Sequence, residues 1–126
     1  MQTLKGSCHC GAVEFEVLAE AGPVGLKRCD CSLCARKGAI MATAKLSELT
    51  VTKGEDKLSL YQWNTRVARH YFCSVCGIYT HHQRRKAPDE YGYNVACIEG
   101  FDVVAVGDIP MTDGISMSVV PDDETL

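Results

Sequence analysis

Apolar and polar residues alternate along much of this chain with a period of two, and helical spacing persists nowhere beyond two turns. From Ala12 to Leu18, Val13, Phe15 and Val17 alternate with Glu14 and Glu16, which predicts a strand with one buried face. Ala21-Gly22-Pro23-Val24-Gly25 ends it as a loop. Gly38 to Lys45 is an apolar run and predicts a buried strand. Leu49 to Thr52 predicts another, closed by Gly54-Glu55-Asp56. Leu58 to Trp63 alternates again, with Leu58, Leu60 and Gln62 opposite Ser59, Tyr61 and Trp63. Val67 to Phe72 and Ile78 to His82 flank a tight turn, Ala87 to Glu90 is a loop, and Tyr93 to Ile98 predicts a strand carrying Cys97. Phe101 to Val106 is apolar and β-branched. At most one helical turn is expected, at Ser47-Glu48-Leu49. The pattern describes an all-β chain, mainly antiparallel, with short connections.

A length of 126 residues corresponds to one domain, and 46% hydrophobic with 23% charged residues is ordinary for a packed globular core. The first six residues lack an apolar signal segment, and no apolar run reaches the ~20 residues that cross a membrane, so the expected compartment is the cytosol. The formal charge of −3 and the 7% aromatic content argue against nucleic acid as a partner. The acidic residues 116–126 read as a frayed tail beyond a domain at 3–115.

Cysteine placement changes the picture most. Seven of the eight cysteines form three clusters: Cys8-His9-Cys10, Cys29-Asp30-Cys31-Ser32-Leu33-Cys34, and Cys73-Ser74-Val75-Cys76-Gly77. In a reducing cytosol such clusters read as metal ligands rather than disulfides. Cys29, Cys31 and Cys34 are close enough to share one ion. Cys8, Cys10, Cys73 and Cys76 then make a closed four-sulfur site, the structural type, with iron as the main competitor to zinc. Two zinc ions on seven thiolates would add three negative charges and take the chain to −6.

The three-sulfur set has two readings. Cys97, or one of His9, His70, His81 and His82, completes a second structural site, although a cysteine in a strand is more often a small core residue. Alternatively the fourth position is kept for water or an incoming thiol. Three thiolates make zinc a weak Lewis acid, better suited to holding a fourth sulfur as thiolate than to generating hydroxide. Arg36 and Lys37 follow this cluster, and Arg66, Arg69, Arg84, Arg85 and Lys86 flank the CxxC segment. Individually such residues suit a solvated surface; as a group they suit the carboxylates of a small anionic thiol.

The ordered segments Gly6 to Val13, Cys29 to Cys34 with Gly38 beyond, His70 to Ile78, and Asn94-Val95-Ala96-Cys97 resemble the glutathione-dependent formaldehyde-activating enzyme family, which also includes centromere protein V. The resemblance covers about residues 3 to 115. It implies an Mss4-like fold, a structural zinc on Cys8, Cys10, Cys73 and Cys76, and a catalytic-type zinc on Cys29, Cys31 and Cys34. It implies addition of glutathione to formaldehyde to give S-hydroxymethylglutathione, a carbon–sulfur lyase reaction in reverse. The rival class is a non-catalytic zinc module that binds a protein or carries a thiol.

Overall fold

The alternation in the sequence is realised as strands in a computed structural model that describes residues 1–63 and 65–113. The expected boundary at 115 and the tail 116–126 lie outside the described residues. In chain order the elements are β1 (Gln2–Ser7), β2 (Glu14–Ala19), β3 (Arg28–Cys29), α1 (Ser32–Lys37), β4 (Met41–Lys45), β5 (Leu49–Lys53) and β6 (Leu58–Tyr61). They continue with β7 (Arg69–Cys73), β8 (Tyr79–Gln83), β9 (Glu90–Asn94) and β10 (Met111–Thr112). Single 3-10 turns occupy Leu46–Glu48, Glu55–Lys57 and Val95–Cys97. The expected all-β, mainly antiparallel class is what the chain forms; only β10 and β3 pair in parallel among the described residues. No helix among them is long and apolar enough to cross a membrane.

Two sheets carry the fold. The smaller has the order β1-β2-β5, and the larger has the order β4-β9-β8-β7-β6. Phe15 and Val17 of β2 face Ala42 and Ala44 of β4 and Tyr93 of β9, with Leu49, Val95 and Ile98 closing the same cluster. Phe15, Val17, Leu49, Val95 and Ile98 each contribute about 1.5–3 kcal/mol by full burial. The core therefore lies between the sheets, and the larger sheet keeps its opposite face for other work.

That opposite face is set by alternation and by one irregularity. Met41 and Thr43 pair with Asn94 and Gly92, and Gly92 pairs with His82, which pairs with His70. These positions alternate with the core-facing set, so His70 and His82 point away from Phe15. On β7 and β8, Tyr71 pairs with His81 and Phe72 with Tyr79, which leaves Thr80 as an extra residue. Such a bulge shifts the alternation of the strand beyond it. Tyr79 accordingly reaches the face of His82, with its hydroxyl 2.6 Å from His82 Nδ1. Tyr79, Thr80, His81 and His82 are all buried, so β8 is covered on both faces.

Four sequence expectations differ from the structure. More than the one expected helical turn forms: α1 follows Cys31, whose sulfur caps it, and 3-10 turns occur at three places among the described residues. β1 carries too weak an alternation to be recognised alone and forms by pairing with β2, from Gln2 opposite Ala19 to Ser7 opposite Glu14. The strand expected over Tyr93 to Ile98 stops at Asn94. There the Asn94 side chain accepts the Ala96 N–H at 3.1 Å and caps a 3-10 turn containing Cys97. Phe101 to Val106 forms bends and a turn, with Phe101 and Val106 packed on the edge of the core and Val104 exposed.

Gly54 is required where β5 ends. Its φ is +74°, and a Cβ there would lie 1.9 Å from the Ala12 carbonyl oxygen. Gly54→Ala therefore combines backbone strain with a clash against main chain next to the Cys8–Cys10 segment. It should destabilise the protein by about 2–4 kcal/mol in a denaturant titration. A midpoint equal to that of the parent would show that the contact can relax.

Candidate functional site

The four-sulfur group forms where two hairpins meet. Cys8 and Cys10 lie in the connection between β1 and β2, while Cys73 ends β7 and Cys76 lies in the turn to β8. Gly77 takes φ +80° and donates its N–H to the Cys73 carbonyl at 2.8 Å, which folds the turn tightly enough to present both sulfurs. The four sulfurs lie within 4.8 Å of one another. Cys10 Sγ is 3.7 Å from Cys8 Sγ and 3.7 Å from Cys73 Sγ. Ligands at about 2.3 Å on the corners of a tetrahedron stand about 3.8 Å apart, so the spacing fits a zinc ion and exceeds the ~2.05 Å of a disulfide.

Backbone amides aim at these sulfurs. Val13 N–H donates to Cys8 at 3.3 Å, Ala12 N–H to Cys10 at 3.4 Å, and Val75 N–H to Cys73 at 3.4 Å. The Cys10 amide beside Cys76 pulls that thiol down to about 6, with help from the Ile78 amide. Donors aimed at sulfur favour thiolate, the form a metal requires.

Cys29, Cys31 and Cys34 form the second group, also within 4.8 Å of one another. Cys29 ends β3, Cys31 is the N-cap of α1, and Cys34 sits within it. Cys31 Sγ accepts the Cys34 N–H at 3.3 Å, so one sulfur both caps the helix and joins the cluster. Burial pushes the Cys29 and Cys34 thiols up, and the Cys31 sulfur between them pushes both further, while the Cys31 amide holds Cys29 back. A dication would reverse that balance. Cys97 stands apart from both groups; its sulfur bonds to the Tyr79 carbonyl at 3.7 Å, and burial raises its thiol to about 12. No histidine nitrogen joins either cluster among the described residues.

An open cleft lies beside the three sulfurs. Its walls include Lys27, Arg84, Arg85 and Lys86, together with Trp63, His70 and His82. Of the cations singled out in the sequence, Arg84, Arg85 and Lys86 reach it. Arg36 instead donates to the Ser32 carbonyl, Lys37 turns to His70, and Arg66 and Arg69 are not among its walls. Arg84 is engaged by Glu90 at 2.5 Å. Arg85 has a buried Nη1 with no hydrogen-bond partner among the described residues. Such a donor costs free energy until an acceptor arrives. Lys27 and Trp63 escaped the sequence reading. Lys27 stands two residues before Cys29, and a basic residue on that side of the cluster was the available signal.

A crystal structure of a Rhodobacter sphaeroides protein superposes with a TM-score of 0.82 at 57% identity, covering 86% of this chain and 99% of that one. A Halomonas elongata protein provisionally named a glutathione-dependent formaldehyde-activating enzyme is 35% identical over 81 residues. That stretch is 58% of this chain and about half, 51%, of the relative's length. The model of the glutathione-dependent formaldehyde-activating enzyme family matches residues 3–106. With the cysteine clusters and the sheet order already in place, that match over most of its length makes this chain a member of the glutathione-dependent formaldehyde-activating enzyme family.

Proposed function

We propose that this protein is a zinc-dependent enzyme of carbon–sulfur chemistry, adding a small anionic thiol to an aldehyde, with glutathione and formaldehyde as the first candidates. The observation that carries the reading is the juxtaposition of three clustered sulfurs with a cleft lined by Lys27, Arg84, Arg85 and Lys86. Cys8, Cys10, Cys73 and Cys76 hold a structural zinc; Cys29, Cys31 and Cys34 hold the second. The domain is residues 3–115, Mss4-like, in the cytosol.

A zinc on three thiolates supplies one property, an affinity for a fourth sulfur as thiolate at neutral pH. The chain supplies the rest. The Arg85 guanidinium on the cleft wall receives a substrate carboxylate, and Lys27 and Lys86 add positive charge along the same walls. The thiol gives up its proton, its sulfur forms a bond to the carbonyl carbon, and the displaced C=O pair goes to oxygen, which takes a proton. The product is the S-hydroxymethyl thioether. The name of the Halomonas elongata relative supports glutathione as the thiol and formaldehyde as the aldehyde.

Metal analysis of protein purified without added metal should find two zinc ions per chain. Cys76→Ser should bind at most one and lose several kcal/mol of stability, melting lower by at least ~10 °C. Cys76 is only half-buried, so lost packing cannot account for such a drop. Cys34→Ser should keep one zinc and a melting temperature near that of the parent. A stoichiometry of one in the parent would refute the pair of sites.

In cobalt-substituted protein, glutathione should convert a three-sulfur spectrum into a four-sulfur one and release one proton per site, with roughly millimolar affinity. Cys34→Ser should lose the response. A second site that already shows four sulfurs and ignores every thiol would replace the enzyme with a structural module.

Arg85→Ala should raise KM for glutathione about 10- to 100-fold, the effect of losing a charged hydrogen bond. It should leave the KM of an uncharged thiol such as 2-mercaptoethanol within about twofold. Equal effects on both thiols would remove Arg85 from carboxylate recognition.

A further inference from the structure

The sheet face beside the three sulfurs holds a buried polar chain that metal binding does not use. Lys37, the last residue of α1, places Nζ 2.8 Å from His70 Nδ1 and 3.7 Å from the centre of the Tyr79 ring. His70 stacks on His82 with ring centres 5.0 Å apart and planes 18° apart. The Tyr79 hydroxyl meets His82 Nδ1 at 2.6 Å. Gly92 makes room for this stack, since a Cβ there would fall 2.4 Å from His82 Cε1. Both histidines line the cleft together with Cys29, Cys31 and Cys34.

We propose that His70 is a catalytic residue of this cleft, a neutral imidazole whose Nε2–H donates a hydrogen bond to the aldehyde oxygen as the carbon–sulfur bond forms. The inference rests on the thiol–aldehyde reading above. An ammonium has donors only, so Lys37 donates to His70 Nδ1, and the single proton of the neutral ring is held on Nε2. Among the described residues no protein acceptor takes that proton. Burial, and then the Lys37 charge, lower His70 to about 3, so the ring stays neutral at any working pH. Lys37 itself is lowered to about 8 by burial, so it is mainly the ammonium at neutral pH. It is held in place by the Tyr79 ring face.

The reaction needs such a donor. When the sulfur pair forms the S–C bond, the C=O pair moves to oxygen, and negative charge grows there before solvent protonates it. A pre-aimed N–H stabilises that charge without reorganising. A neutral imidazole can do this while keeping its own proton. His70 is a poor general base by the same geometry, because its Nδ1 lone pair is occupied by Lys37. Lys37 is a positioning residue: it acts through His70 by selecting the tautomer.

The test combines nitrogen NMR of ¹⁵N-histidine-labelled zinc protein with exchange kinetics corrected for the spontaneous reaction. At pH 7, His70 should show protonated Nε2 and bare Nδ1, with no titration between pH 5 and 7; its signals are those absent in His70→Gln. His70→Gln keeps an N–H near the Nε2 position and should hold kcat within about tenfold. His70→Phe should lose about 10²–10³ in kcat with KM for glutathione within about twofold. Lys37→Met should release the Nδ1–H tautomer and lose about tenfold in kcat. A parent with the Nδ1–H tautomer, or an active parent whose His70→Phe variant keeps its kcat, overturns the role of His70 and leaves the thiol–aldehyde reading standing. A parent that accelerates no thiol–aldehyde addition overturns that reading and the role of His70 with it.

Discussion

Four sulfur atoms within 4.8 Å, drawn from two hairpins of different sheets, are the constraint on which the structure depends. Thiols that close resist joint ionisation unless positive charge compensates them. Backbone N–H groups from Ala12, Val13 and Val75 supply part of it, and a dication would supply the rest. The connection β1–β2 and the turn β7–β8 can bring these atoms together only if the smaller sheet lies against the larger one. That arrangement buries Phe15, Val17 and Tyr93 between them. Core packing and sulfur convergence thus demand the same placement of the sheets.

The larger sheet works on both faces. One face meets Phe15 through His81 and Tyr93, the other carries His70, His82 and Tyr79. A strand as polar as Thr80-His81-His82-Gln83 is buried at a cost unless its groups are paired. Thr80 Oγ pairs with His81 Nδ1 at 2.9 Å, the Tyr79 hydroxyl with His82, and Lys37 with His70. The bulge at Thr80 is what lets Tyr79 take part, because regular alternation would leave it on the core side. α1 joins this arrangement at both ends: Cys31 and Cys34 belong to the sulfur group, and Lys37 reaches the histidines. Ordering of the sulfurs and of the imidazole therefore shares one short helix.

Charge in this molecule is local. The chain carries −3, yet Lys27, Arg84, Arg85 and Lys86 converge on one cleft. Glu90 neutralises Arg84, while Arg85 keeps a buried donor without a partner among the described residues. A net-charge argument speaks only to the whole surface. Recognition of one small carboxylate depends on the few donors that share a wall, and those are invisible in a sum.

Much of this was legible in the residues alone. The spacing within CxC, CxCxxC and CxxCG sets which sulfurs can share an ion, because a few residues of chain leave little freedom. The period-two pattern at Val13, Phe15 and Val17 set the core face of β2. The same local signals led to the all-β class and to family membership. Tertiary structure decided what local signals cannot carry. β1 exists because β2 is there to pair with it, and the strand expected to carry Cys97 ends at Asn94 because a side-chain cap offers the backbone a better partner. Lys27, Arg85, His70 and Trp63, spread from position 27 to 85, meet at the cleft through cross-strand register and connection paths. A one-residue bulge reverses a face without leaving a mark in composition. Short-range spacing determined which sulfurs can converge; the side chains that surround them were chosen by the register of strands distant in sequence.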